Sequence, residues 1–420
     1  MIQIGNENMK LYFSSKTGLL NKIVTDSKEI KSKIKFIKYG TTSASEKSGA
    51  YLFLPDGPGV ELKQNKFLQW IRVEHSGKLR NRVCVNMTVL MHCVDIFPTI
   101  DKVKNLKYPL LHVWNMVDLR RSHNFELALH VETDIKNDEY VHTDLNGFQY
   151  IKRKNYKKLT LQGNVYPMPS GAFIQDSTKR LNILTAQPLG VASLDPSSIQ
   201  VFLDRRLDQD DNRGMEQAMN DNVLVSSKML IFFESINGMT SSTDKSESLA
   251  SNYPSLMSQL LSFDLVNQVT KLHLSKPTEQ IKNELILSNK NKKYPCDLRL
   301  VNMRTMQTKD ERPQNKEVGL ILHRIVFEDC PSSPYAQLSS YFINQCSSDN
   351  QFTYEDLFEF FSRSNEKETL KISNITNTYL TLQKRDEISS TSALYVKQKT
   401  DNILDHLQPM QIEAYRINFN

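Results

Sequence analysis

Along most of its length this chain alternates apolar and polar side chains with a period of two. From Asn124 to Glu132, Phe125, Leu127, Leu129 and Val131 alternate with Glu126, Ala128, His130 and Glu132. Successive strand residues face opposite sides, so this spacing predicts a strand with one buried face. The same rhythm runs over Lys33 to Phe36 and Arg82 to Met91, and it returns at Tyr415, Ile417 and Phe419. Met9 to Phe13 and Leu19 to Val24, joined through Lys16-Thr17-Gly18, read as two strands around a glycine-containing turn. Many short strands between polar loops predict antiparallel β-sandwiches rather than an alternating βαβ sheet. Ser255 to Leu261 and Tyr354 to Phe361 depart from the rhythm and predict short helices, the second with a Thr353 cap and Asp356 three residues on.

The 420 residues, 39% of them hydrophobic, suffice for more than one core. The Ser-, Thr- and charge-rich stretch Met239 to Ser251 has no apolar periodicity and reads as a linker. The expected division is a large β-sandwich over 1–238, a linker with a short helix over 239–286, and a C-terminal β-sandwich with an inserted helix over 287–420. Lys309 to Lys316 reads as a long loop within that last part.

Charge and leader segments exclude several classes. Lysine and arginine number 53 against 47 acidic residues, a net charge of +6 that is too mild to demand a nucleic-acid partner. No apolar run approaches the roughly 20 residues of a membrane helix, so no direct membrane span is expected. The opening MIQIGNENMK has neither a basic region nor an apolar core, so no secretory signal is read there. Asn86-Met87-Thr88 and Asn374-Ile375-Thr376 fit the N-glycosylation acceptor pattern. Cys84, Cys93, Cys296, Cys330 and Cys346 form no CxxC and no zinc-like spacing, which leaves two readings: a Cys330–Cys346 disulfide, or five scattered and mostly buried thiols.

Three segments concentrate chemistry. In Asp204 to Gly214, DRRLDQDDNRG, the Asp208, Asp210, Asn212 rhythm resembles a calcium loop, but Arg213 stands where the loop needs glycine and Met219 where it needs a bidentate glutamate. The segment is then either a solvated hairpin end or a set of carboxylates fixing Arg213, whose planar guanidinium offers paired donors to sugar hydroxyls. Ser48 to Gly57, SGAYLFLPDG, ends in a Pro-Asp-Gly turn. Tyr51 is either core or a phenol presented at a surface, and Ser-Gly-Ala before it admits a close approach by another backbone or a ligand. Ile151 to Lys158 reads as a lysine-protected sheet edge before it reads as an RNA site. No GxGxxG, P-loop, GxSxG or HExxH pattern is present.

Taken in order, SGAYLFLPDG, TDLNGFQYIKR (Thr143 to Arg153), VYPMPSGAFIQD (Val165 to Asp176), LTAQPLGVASL (Leu184 to Leu194), DRRLDQDDNRG and LQPMQIEAYRINF (Leu407 to Phe419) resemble the C-terminal half of glycoside hydrolase family 38 α-mannosidases. FLPDG after SGAY and the VYPMPSG segment look more like the Golgi α-mannosidase II branch than the lysosomal one. The resemblance implies retaining hydrolysis of α-linked mannose in N-glycan trimming, with a zinc ion gripping sugar hydroxyls. It implies that the catalytic α/β barrel, with its nucleophile and zinc ligands, is absent from this chain, which therefore receives no catalytic residue and no metal ligand. Two positions carry over as substrate-binding residues: Tyr51, the tyrosine of SGAY, and Arg213, the arginine of DDxRG. Asp210 and Asp211, from adjacency, are expected to orient Arg213. The implied partners are a mannose-containing N-glycan and the missing barrel module, the implied location is the Golgi lumen if the chain belongs to the complete enzyme, and the chain alone is expected to be inactive. An apolar patch near Tyr51 is expected where the barrel would dock. The alternative is a non-catalytic carbohydrate-binding or structural β-protein that has lost the barrel.

Overall fold

The structure, a computed structural model, describes residues 1–25, 28–42, 45–76, 79–97, 110–235, 253–268, 270, 294–295, 297–307, 312–325, 351–359, 371–383, 396–398, 400–408 and 410–420. The chain opens as an antiparallel meander of β1 (Ile2–Gly5), β2 (Met9–Phe13), β3 (Leu20–Thr25) and β4 (Glu29–Ile30). Gly18 takes φ 70° in the turn before β3, a conformation open to a residue without Cβ. There follow β5 (Ser32–Tyr39), β6 (Val60–Glu61), the one-turn helix α1 (Gln64–Phe67), β7 (Leu68–His75), β8 (Asn81–Met87), β9 (Leu90–Ile96) and β10 (Leu111–Val117). The same unit continues through β11 (Phe125–Thr133), β12 (Tyr140–Asp144), β13 (Tyr150–Lys154), β14 (Tyr166–Met168), β15 (Gly171–Gln175), β16 (Lys179–Thr185), β17 (Leu189–Ala192), β18 (Ser198–Arg206), β19 (Val225–Ser235) and helix α2 (Leu256–Val266).

These strands form two large sheets, ordered β13-β12-β15-β16-β19-β10-β9-β8-β7 and β14-β17-β18-β11-β5-β6. One apolar cluster draws on both and on the opening meander: Leu11 and Phe13, Phe36 and Leu129, Val85 and Ile183 are all essentially sealed from solvent. Burial of that area is the main favourable contribution to the fold. The chain is thus the antiparallel β-sandwich protein with few helices that its rhythm predicts.

Local details depart from the one-dimensional reading. In β11 the supposed outer face is buried too: Glu126 is 2% exposed and Ala128 0%. A second cluster of Tyr39, Ala128, Phe53 and Phe202 explains this, because a loop covers the outside of the six-stranded sheet. The Arg82 to Met91 run is two strands, broken by a tight turn at Thr88-Val89 that pairs β8 with β9 and sets Cys84 directly opposite Cys93. Those two cysteines form a disulfide, Cα–Cα 4.1 Å, so they are not the free thiols of the sequence reading. The Cys330–Cys346 pairing and the Met239 to Ser251 linker lie outside the described residues. Helix α2 is capped by Ser255, whose Oγ accepts from the Ser258 N–H at 3.0 Å. Its Leu261 and Leu265 pack on Leu184, Leu230 and Phe232.

The chain divides into two compact units, Met1–Gln268 and a second that includes Val269–Phe327 and Ser339–Asn420. In the second, β20 (Leu298–Gln307), β21 (Pro313–Arg324), α3 (Tyr354–Glu359), β22 (Ile372–Thr378), β23 (Val396–Lys397), α4 (Ile403–His406) and β24 (Ile412–Phe419) make one sheet ordered β20-β21-β24-β22-β23. Leu320, Leu322, Tyr415 and Ile417 of that sheet pack on Tyr354, Leu357 and Ile403 of the helices. Of the Lys309 to Lys316 loop, Lys309 to Glu311 lie outside the described residues, and Pro313 to Lys316 is strand, opening β21 with Pro313 paired to Gln307 of β20. Thr353 and Asp356 form a reciprocal cap on α3: the Thr353 N–H donates to Asp356 Oδ2 at 2.8 Å, and the Asp356 N–H to Thr353 Oγ1 at 3.2 Å.

Candidate functional site

Two segments far apart in sequence meet beside the six-stranded sheet. The first is the loop after β5, pinned at its ends by a bridge between Thr41 and Pro55. Phe53 anchors it, packing edge-on against Tyr39 at 5.7 Å and Phe202 at 5.2 Å. The second is the stretch that leaves β18. Burial between these segments forces their polar groups to find partners. Asp211, 1% exposed, accepts the N–H of Tyr51 at 2.7 Å and of Leu52 at 2.8 Å on the same Oδ2. Burial alone would raise its pKa, but the N–H groups of Leu52 and Tyr51 outweigh that and hold the carboxyl below its ordinary value. Gln209 Nε2 donates to the Ser48 carbonyl at 3.0 Å and to Thr41 Oγ1 at 2.9 Å, while Ser48 Oγ accepts the Leu54 N–H at 2.7 Å. Arg205 Nη2 bridges the Leu52 carbonyl at 2.6 Å and Glu126 at 2.7 Å. Burial pushes the Glu126 carboxyl up, and Arg205 pulls against it.

Gly49 lets the two segments close. A Cβ built there would stand 2.5 Å from the Asp211 nitrogen and from Asp211 Cβ, so the small residues of SGAY admit another backbone. Tyr51 itself is 63% exposed: its main chain is clamped while its phenol faces solvent. Leu52, Phe53 and Leu54 are only half-buried rather than exposed, so the expected apolar patch reduces here largely to Tyr51.

Arg213 also lies on the surface, with Nη2 on Glu46 at 2.9 Å and side-chain exposures of 47% and 67%. Neither carboxylate expected from adjacency takes the Arg213 guanidinium directly. Asp211 holds the main chain of the Tyr51 loop and accepts from the Arg213 backbone, Asp210 accepts the Asn212 N–H at 2.9 Å, and the carboxylate on the Arg213 guanidinium is Glu46. No periodicity marks Glu46, because its pairing exists only once the two segments meet. Both Tyr51 and Arg213 are placed within two residues of a direct bond between the segments. Among the described residues no group of three or more His, Cys, Asp or Glu converges where a metal could sit, so the zinc implied by the resemblance finds no ligand set there. No helix among them is long and apolar enough to cross a membrane.

Comparison with known proteins bears on the same segments. Alpha-mannosidase 2 of Homo sapiens is 34% identical over 421 residues, covering 99% of this chain and 34% of the relative. Alpha-mannosidase 2 of Rattus norvegicus is 38% identical over 344 residues, covering 80% and 29%. The chain thus spans about a third of the length of these relatives. Among solved structures, an alpha-mannosidase from Enterococcus faecalis V583 shares the fold at TM-score 0.52 and 10% identity, covering 99% of this chain and 42% of that one. Residues 4–213, a span that starts in β1 and ends at Arg213, match the family described as glycosyl hydrolases family 38 C-terminal domain. With half of its residues inside that match, the chain belongs to glycoside hydrolase family 38 and carries that family's C-terminal domain.

Proposed function

We propose that this chain supplies one wall of a mannose pocket in an α-mannosidase of the α-mannosidase 2 type, with Tyr51 and Arg213 contacting the sugar. A retaining glycosidase needs a nucleophile and an acid/base flanking the scissile bond. In this reading both, together with the zinc ligands, come from a barrel elsewhere in the protein, and the chain alone turns over no mannoside. The sandwich assigned to 1–238, on whose sheet helix α2 packs, carries both pocket loops, and the sandwich assigned to 287–420 lies in the second unit. The substrate is an α-mannose residue of an N-glycan, and the location is the Golgi lumen, as for enzymes of that branch.

One observation carries the reading: a single buried carboxylate, Asp211, fixes the main chain under an exposed phenol two residues from an exposed guanidinium. That is a preorganised wall with two polar groups left outward. The Arg213–Glu46 pair is solvent-exposed, and such pairs contribute only about 0–1 kcal/mol, so the guanidinium is readily exchanged onto sugar hydroxyls. Charge-assisted hydrogen bonds from it can strengthen as the sugar ring approaches its transition state.

The test is a chimera in which this chain replaces the corresponding third of a curated relative, assayed on an aryl α-mannoside. Tyr51→Ala and Arg213→Ala are each expected to lower kcat/KM at least about tenfold, equivalent to about 1.4 kcal/mol of lost transition-state binding. An active chimera indifferent to both substitutions refutes the assignment.

A further inference from the structure

A pocket of about 700 Å³ lies away from the Tyr51 and Arg213 segments, within the range of about 300–1,000 Å³ usual for small-molecule sites. Two turns form its walls, one between β11 and β12 and one between β15 and β16, and Tyr140, His142 and Lys152 line it between them.

Both walls are held from behind. Asn137, 3% exposed, donates through Nδ2 to the Tyr140 carbonyl at 2.8 Å and to Ser193 Oγ at 2.9 Å, and accepts the Ser197 N–H at 2.9 Å. Asp176 ties the turns together: Oδ1 accepts the N–H groups of Thr178 at 2.7 Å and Lys179 at 2.9 Å, and Oδ2 accepts that of Lys136 at 3.2 Å. Asp138 and Glu139 adopt φ 46° and 66°, a left-handed conformation that in non-glycine residues persists only where the surroundings impose it.

The committed and uncommitted groups separate clearly. Asp176 is saturated by backbone donors, and Asp134 is paired with Lys179 Nζ at 2.7 Å. The Lys136 ammonium, the Asp138 carboxylate and the hydroxyls of Tyr140 and Ser177 make no hydrogen bond among the described residues, and all four line the pocket. Lys136 and Lys152 offset Asp138 and Asp176, and Lys179 offsets Asp134, so the lining carries no net charge and favours neither an anion nor a cation. Two hydroxyls that both donate and accept complete the set. A ligand that answers donors and acceptors at once without carrying charge is a polyhydroxylated ring. From this lining we propose that the pocket binds a neutral hexose unit of a glycan. Only the choice of mannose as the probe rests on the function proposed above.

The test uses the full chain and methyl α-D-mannopyranoside, followed by saturation-transfer NMR, with its 6-phosphate as the charged comparison. Saturable binding of the neutral sugar is expected to weaken about fivefold in Lys136→Met and in Asp138→Asn, the change from losing one such hydrogen bond. Lys10→Met, an exposed substitution in β2 outside the lining, is expected to leave it unchanged. Both pocket residues are exposed, so these substitutions spare the core, and Ser177→Trp, which fills the pocket and removes no bond, is expected to abolish binding. Absence of saturable binding overturns the proposal. So does binding indifferent to all three pocket variants, or tighter binding of the 6-phosphate that depends on Lys136. Binding lost only in Arg213→Ala would support the Tyr51 wall and reject this pocket, whereas pocket-dependent binding beside a chimera indifferent to Arg213 would do the reverse.

Discussion

Gly49 has no room for a side chain: the nitrogen and Cβ of Asp211 occupy the space a methyl group would need. Gly49→Ala must therefore push the Tyr51 loop off the Asp211 clamp, and overpacking of this kind costs about 1–3 kcal/mol. Urea denaturation of the chain reads the loss, and an unchanged midpoint would mean that the loop yields freely. A second residue controls the response to acid. His92, 1% exposed, faces Asn115 Oδ1 at 2.7 Å, and Asn115 Nδ2 donates to Ser227 Oγ at 3.1 Å, a polar seam along directly paired residues of β9, β10 and β19. Burial lowers the His92 pKa from 6.5 to about 4. The unfolded chain then takes up this proton at a higher pH than the folded one. Stability is complete above about pH 6.5 and drains away as pH falls toward about 4, by about 3 kcal/mol for a shift of this size. In His92→Gln, which keeps a donor for Asn115, denaturation midpoints across that interval are expected to lose the His92 share of their slope, while His323, whose pKa burial also lowers to about 4, keeps its own. At this scale the sequence was informative where chemistry was local. The small residues of SGAY announced a close approach and Arg213 an outward guanidinium, whereas Asp211 and Glu46 acquire their roles only from partners about 160 residues away.

Among elements, the β8–β9 hairpin shows how one turn alters a reading. A continuous alternation from Arg82 to Met91 conceals a reversal at Thr88-Val89, and the reversal alone brings Cys84 and Cys93 together. Closing a loop with a sequence separation of 9 restricts the unfolded chain enough to contribute about 2–3 kcal/mol in the chain-entropy picture. Cys84→Ser/Cys93→Ser should lower stability by that amount, with dithiothreitol producing the same shift in the parent chain and none in the double variant. Helix ends were legible where the cap is local: Thr353 with Asp356 folds as read, whereas Ser255, read as the first residue of its helix, is the cap ahead of α2. The outer face of β11 was not legible, since Glu126 looks solvated until Arg205 and the Phe53 loop arrive to cover it.

For the molecule as a whole, strand rhythm was enough for the antiparallel sandwich, and ordered motifs were enough for the family. The pairing order of a nine-stranded sheet whose neighbours include β16-β19-β10 could not be read, because it depends on which faces bury most area together. The Asp211 clamp spans a sequence separation of 160. At ribosomal rates of about 5–20 residues per second, the Tyr51 loop therefore waits about 8–32 s after its own synthesis for the carboxylate that shapes it. A nascent chain stalled just short of Asp211 should be nicked by protease within Ser48 to Leu54, and one stalled well beyond β19 should resist. Birth order thus gives this loop a vulnerable interval that falls before any sugar can meet it.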